Sequence, residues 1–200
     1  MKPKVAIVDY GVGNLRSVYR ALEHKGAESR ITVDKAVIEE SDAIVLPGVG
    51  AFGDTMKEFR AFGDLLKKFI EEKPVLGICL GLQLFFTISE EDGLHSGFDI
   101  IPGRVVKLPD YVKIPHMGWN SIKIEKGSEL LDGVEDGEYF YFVHSYYAVP
   151  DEEVTVATTQ YGVEFPAVVE KGNAYATQFH PEKSGKAGLK IIENFVKIVG

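Results

Sequence analysis

The chain contains a single cysteine, and its surroundings are the first chemical signal. Cys79 follows the apolar run Val75-Leu76-Gly77-Ile78 and precedes Leu80-Gly81-Leu82-Gln83-Leu84-Phe85-Phe86. This pattern predicts a strand, a sharp turn at the thiol and a helix over 82–86. A nucleophile held on such an elbow needs small residues two before and two after it, because the strained turn brings neighbouring backbone close. Gly77 and Gly81 meet that need. The partial positive charge at a helix N-terminus would also favour thiolate over thiol. A free cysteine is often no more than a small buried hydrophobe, and the elbow alone leaves that alternative open.

The second signal lies a hundred residues downstream, in Gln178-Phe179-His180-Pro181-Glu182-Lys183-Ser184. His180 and Glu182 are two apart, so on an extended segment both side chains leave the same face, as a carboxylate that orients an imidazole requires. Pro181 favours the extended form of the residue before it. A surface ion pair is the alternative. Combined with the cysteine elbow, the stronger reading is a Cys-His-Glu triad of Cys79, His180 and Glu182. A zinc site would need three or four ligands at characteristic spacing, and the chain has no CxxC, no HxxxH and one sulfur. No metal is expected.

With 200 residues, 45% of them hydrophobic, and no polar linker, the chain is expected to form a single domain over residues 1–200. A net charge of -8 disfavours nucleic acid or an anionic membrane as the main partner. No signal-like N-terminus or long apolar run points to export or insertion, so a reduced, cytoplasmic setting is expected.

The elements that must position the triad alternate in the first half. Strands are expected over 4–9, 27–32 (an edge), 43–46 and 75–78. Helices are expected over 14–25, 34–40, from an Asp54 cap through Arg60, and 65–71. Such alternation demands parallel strands with crossovers, and functional groups then gather at the strands' carboxyl ends. Two features sit there: Cys79 and the glycine-rich loop Pro47-Gly48-Val49-Gly50-Ala51-Phe52-Gly53. The earlier Gly11-Val12-Gly13 follows a strand, but Arg16 replaces the third glycine of a dinucleotide fingerprint, and no nucleotide site is expected. In the second half, short runs over 103–108, 122–124, 139–143, 154–159, 165–170 and 174–178 read as added antiparallel strands. A final helix over 186–199 presents Leu189, Ile192, Phe195, Val196 and Val199 on one stripe.

The elbow Gly77 to Gln83 together with His180-Pro181-Glu182 resembles the class I (triad-type) glutamine amidotransferases. Within that class, Pro47 to Gly53, Pro115-His116-Met117-Gly118-Trp119-Asn120, Tyr141-Phe142-Val143-His144-Ser145-Tyr146 and the N-terminal Asp9 to Asn14 are similar to the glutaminase subunits of imidazole glycerol phosphate synthases. The resemblance implies a flavodoxin-like, mostly parallel sheet flanked by helices. It implies glutamine as substrate, no cofactor, and a heterodimer with a (β/α)8-barrel cyclase that consumes the ammonia in histidine biosynthesis. Cys79 would attack the substrate amide, His180 would move protons and Glu182 would hold His180. The backbone N–H of Leu80 and one from Val49 or Gly50 would form the oxyanion hole. Gln83, Gly48, Gly50, His144, Ser145 and Tyr146 match positions that hold the glutamine, and Asn14, His116, Trp119 and Tyr141 match the surface that meets the cyclase. His24 and His95 receive no role.

Two other classes present a cysteine in a similar way. A redox or repair protein on an α/β fold gives no reason for His180-Pro181-Glu182 to accompany the loop at Pro47, and a purely structural subunit would tolerate loss of Cys79. Glutaminases serving anthranilate, GMP or pyridoxal phosphate synthesis are the nearer rivals. The motifs at 115–120 and 141–146 speak against them.

Overall fold

The computed structural model describes residues 1–11 and 14–200, with Ala61 described in its backbone only. Val12 and Gly13 of the N-terminal motif lie outside the described residues. The first half runs β1 (Lys4–Val8), α1 (Leu15–His24), β2 (Glu28–Thr32), α2 (Lys35–Glu39), β3 (Ala43–Gly48), α3 (Phe52–Phe59), α4 (Gly63–Glu72), β4 (Val75–Cys79) and α5 (Leu80–Gln83). Then come β5 (Phe86–Ser89), β6 (His95–Ser96), β7 (Ile101–Lys107), β8 (His116–Ser121), β9 (Lys123–Ile124), β10 (Tyr139–His144), β11 (Tyr146–Pro150), β12 (Thr155–Tyr161), β13 (Val163–Lys171), β14 (Ala174–Thr177) and α6 (Gly185–Val199).

The main sheet has the order β2-β1-β3-β4-β14-β13-β12-β9. From β2 to β14 the neighbours are parallel, and from β14 to β9 they are antiparallel. Successive side chains of a strand point to opposite faces, so a strand covered on both sides must be apolar throughout. In β3, Ala43 and Val45 join one core with Val18 and Leu22 of α1 and Ile192 and Phe195 of α6. Ile44 and Leu46 join the other, with Phe59 of α3 and Leu66 and Phe69 of α4. Burying each such large side chain contributes on the order of 1.5–3 kcal/mol. The strands that lead into the glycine loop, Cys79 and His180, namely β3, β4 and β14, are adjacent in the middle of this doubly covered sheet. A second sheet, β11-β7-β5-β6, and a ribbon, β10-β8, build the walls above those ends.

The structure corrects several sequence expectations. The helix expected over 82–86 is a single turn, α5, and Phe86 already begins β5. Leu82, Leu84, Phe85 and Phe86 are all buried, and a wholly buried apolar run carries no period that separates helix from strand. Helix α3 starts at Phe52, so Asp54 sits in its first turn and is not its cap. The segment over 174–178 is not wholly an antiparallel addition: β14 pairs with β4 in parallel and with β13 antiparallel, and so joins the two halves of the sheet. Strand β5 likewise runs parallel to β7. Among the described residues, no helix is long and apolar enough to cross a membrane.

Candidate active site

Strand β4 ends on Cys79, whose backbone has φ 54 and ψ -102. A non-glycine residue held there stores strain, and it turns the chain from strand into α5 within one residue. The two glycines allow the turn. A Cβ on Gly77 would come within 2.7 Å of the Gly81 carbonyl, and one on Gly81 would collide with the Leu46 carbonyl. Because α5 is only one turn long, its dipole is a minor influence on the sulfur, and the neighbouring side chains matter more.

Those neighbours come from the end of β14. His180 and Glu182 are both buried, and Nδ1 of His180 lies 2.9 Å from Oε1 of Glu182. The contact does not use the extended geometry expected from the sequence. Pro181–Lys183 forms a 3-10 turn with proline in its first position, where a missing N–H costs nothing, and the turn folds Glu182 back onto the imidazole. The segment is fastened to β10: the N–H of His180 donates to the Tyr141 carbonyl at 2.9 Å, while Ser184 Oγ accepts from the Tyr141 N–H and donates to the His180 carbonyl. The Nε2 of His180 has no nitrogen or oxygen partner, and Cys79 lies beside it. Burial opposes a charged imidazole here. The adjacent Cys79 and Glu182 outweigh that burial and hold His180 well above the ordinary histidine range.

A cleft of about 300 Å³ opens over the sulfur. Of the residues singled out in the sequence, Val49, Gly50, Leu80, Gln83, His144, Ser145 and Tyr146 line it together with Cys79. Gly48 does not. It is buried at the end of β3, in register with Cys79, and a Cβ there would collide with Leu80 and the Tyr10 hydroxyl. Its smallness serves packing beneath the cleft. The Tyr10 hydroxyl donates to the Pro47 carbonyl and anchors the start of the glycine loop.

The wall opposite the loop is held by a chain of neutral histidines. His144 Nδ1 is 2.9 Å from the Tyr146 carbonyl and must donate to it. Its Nε2 then accepts from His116 Nδ1 at 3.0 Å, and His116 Nε2 accepts from Asn120 Nδ2 at 3.4 Å. Burial lowers His116 to about 4 and His144 to about 3, which keeps both uncharged. The expectation that His116 meets a partner is therefore corrected: it is buried, stacked between Tyr161 and Phe142, and acts on the wall from inside. Trp119 faces outward, and Tyr141 is half-buried. They are cross-strand neighbours in edge-to-face contact, with Trp119 56% exposed between Met117 and Tyr139. Asn14 is half-buried at the cap of α1.

Sequence reasoning missed three contributors. Glu91 enters the cleft wall, and its Oε2 accepts from the Phe52 N–H at 2.6 Å, supplying the cap that Asp54 does not. Burial raises its pKa. Val143 presents its carbonyl to the sulfur, and Gln178 its side-chain amide. Only Gln178 left a readable trace, since it stands two residues before His180 and so shares its side of the chain. Among the described residues, no three His, Cys, Asp or Glu side chains form a group able to hold a metal ion.

A central parallel sheet, a cysteine elbow and a buried His-Glu pair at the same sheet edge define an α/β protein equipped for nucleophilic chemistry. The family model "Glutamine amidotransferase class-I" matches residues 6–199. Among solved structures, the chain is similar to PurLQS from Thermotoga maritima (TM-score 0.78, 22% identity, 100% of both chains) and to a glutamine amidotransferase from the same organism (TM-score 0.67, 16% identity, 94% of this chain and 79% of that one). These two likenesses concern the fold. Among curated relatives, the imidazole glycerol phosphate synthase subunit HisH of Methanothermobacter thermautotrophicus is 54% identical over 197 residues, covering 98% of both chains. Its counterpart from Archaeoglobus fulgidus is 53% identical over 196 residues with the same coverage. The chain belongs to the class I glutamine amidotransferase family.

Proposed function

We propose that this chain is the glutaminase subunit of an imidazole glycerol phosphate synthase, hydrolysing L-glutamine to glutamate and ammonia with Cys79, His180 and Glu182. The observation that carries the reading is the His180–Glu182 contact at 2.9 Å, buried beside a cysteine on a strained elbow. Glu182 accepts from Nδ1–H and so leaves Nε2 free to take the thiol proton. The thiolate adds to the side-chain amide carbon of glutamine. His180 returns the proton to nitrogen as the C–N bond breaks, leaving a thioester on Cys79. A water molecule deprotonated by the same imidazole then hydrolyses the thioester.

The developing oxyanion requires two donors. Leu80 opens α5, where a backbone N–H has no acceptor within the helix, and Val49 or Gly50 supplies the other from the loop across the cleft. Gln83 and the backbone of Ser145 and Tyr146 form the substrate wall. Glu91 brings a carboxylate to that cleft, a counter-charge suited to an amino acid's ammonium group. The exposed Trp119, with half-buried Tyr141 beside it and continuous along the ribbon with Val143 at the cleft, gives the cyclase an aromatic docking face.

The reading is tested by measuring glutamate release from glutamine by the chain alone, with the cyclase subunit, and with the cyclase plus its nucleotide ligand, each against Cys79→Ala. Release that depends on the cyclase and is abolished in the variant is the expected result. Substantial turnover by Cys79→Ala would remove the nucleophile. Activity indifferent to the cyclase would leave a glutaminase serving another synthase.

A further inference from the structure

The Gln178 side chain is fully buried and spans the distance between the sulfur and the substrate wall. Its Nε2 lies 3.5 Å from Cys79 Sγ, and its Oε1 lies 3.3 Å from Gln83 Nε2. The direction of this amide is fixed by its neighbours. Gln83 Nε2 also donates to the Tyr146 carbonyl at 2.9 Å, so the amino group of Gln83 faces Gln178 and only the oxygen of Gln178 can meet it. The N–H2 group of Gln178 therefore faces sulfur.

The sulfur has a second contact of opposite character, 3.6 Å from the Val143 carbonyl. A carbonyl accepts from a thiol and repels a thiolate, whereas an amide N–H is stronger toward the anion. The two contacts thus favour different protonation states of the same atom. On its other side, His180 Nε2 has no nitrogen or oxygen partner and is free to accept the proton.

We propose that Gln178 is a further catalytic residue, a fixed donor that holds the Cys79 sulfur when its proton leaves and that locks Gln83 in the orientation facing the substrate. In that step the S–H bond breaks, an N–H bond forms on His180 Nε2, and the sulfur keeps the electron pair. The hydrogen bond to Val143 is lost as the one from Gln178 strengthens. The proposal rests on the glutaminase reading above and adds to it the group that stabilises its nucleophile.

Two variants and two readouts test it. Alkylation of Cys79 by iodoacetamide reports the thiolate without glutamine, and steady-state hydrolysis in the complex with the cyclase reports kcat and KM. Gln178→Met keeps the volume but removes both donor and acceptor. It should slow alkylation and lower kcat by about tenfold each, the scale of one hydrogen bond to a charged group, with KM raised as Gln83 loses its partner. Gln178→Glu keeps an acceptor for Gln83, so kcat and alkylation at alkaline pH should fall while KM stays near that of the unsubstituted chain. A packing role alone would not separate KM from kcat in this way. Should Gln178→Met fail to fold, the glutamate variant decides. A folded variant alkylated within about twofold of the unsubstituted rate, or one with unchanged kcat, overturns the proposal. An unsubstituted complex that hydrolyses no glutamine overturns the glutaminase reading instead, while slower alkylation of the variants would still establish the Gln178 contact with sulfur.

Discussion

His180 and His144 are close to the same cleft and almost equally buried, yet their surroundings favour the protonated form of one and the neutral form of the other. His180 is 2% exposed and His144 6%. Burial lowers the pKa of any imidazole, and at His144 nothing opposes it but the Tyr146 carbonyl; the nearby His116 and His180 push it further down. At His180 the same penalty is overcome by Cys79 and Glu182. The identity of the neighbouring groups, and not depth, separates a ring that favours its proton from one that refuses it. A carboxylate and a sulfur raise the proton affinity of one ring, and a carbonyl and a second ring hold the other neutral between them.

The largest effect is expected where the comparison is most direct. Glu182→Gln keeps an acceptor for Nδ1–H but removes the charge that helps hold His180 as an imidazolium. Glutamate release should fall by about a hundredfold or more, within the range that general acid-base groups contribute, with KM little changed. Single-turnover glutamate release in the complex measures this. A loss under about threefold would mean that Cys79 alone sustains the charge on His180.

A smaller loss is expected at the neutral ring. His144→Leu leaves the His116 Nδ1–H without its acceptor and removes one of two donors to the Tyr146 carbonyl, the other being Gln83. Each buried group left unsatisfied costs about 1–3 kcal/mol, so urea unfolding should show a loss of that order. Because the His144 ring supports the Tyr146 carbonyl beside the cleft, KM should rise more than kcat falls. Unchanged stability would show that the histidine chain contributes no rigidity.

The two regions also differed in how well the sequence announced them. Gly77, Cys79 and Gly81 are legible because an elbow admits only small residues at fixed offsets, a steric rule that is local in sequence. His180 and Glu182 were legible as a pair for a similar reason, although the turn that joins them is 3-10 and not extended. The alternation of β1 to β4 with helices gave the parallel core for the reason that doubly covered strands must be apolar. The neutral wall was not legible in this way. His116 and His144 meet because β8 and β10 place them directly opposite, a register set by long-range pairing, and nothing local separates a buried His116 from a surface one. Glu91 likewise reaches the Phe52 N–H across 39 residues, and the early end of α5 follows from a second sheet that claims Phe86.

The smallest and finest test is pH. In the unfolded chain each histidine returns to about 6.5, while folding lowers His116 to about 4 and His144 to about 3. Between those limits the unfolded chain binds protons that the folded chain refuses, so these two rings make stability fall as pH drops below about 6.5. His180 works in the other sense: its folded pKa is raised, so its contribution is fully present below the unfolded value and is lost as pH climbs through the folded one. Histidine-resolved NMR titration separates the three. His116 and His144 should stay neutral from neutral pH to well below 6.5, and His180 should stay protonated above neutrality. Cys79→Ala should then bring His180 down, since Cys79 is the strongest influence opposing its burial, and leave the other two rings unprotonated. A His144 signal that titrates near 6.5 would mean that the buried wall admits water or charge, and the contrast between the two rings would dissolve.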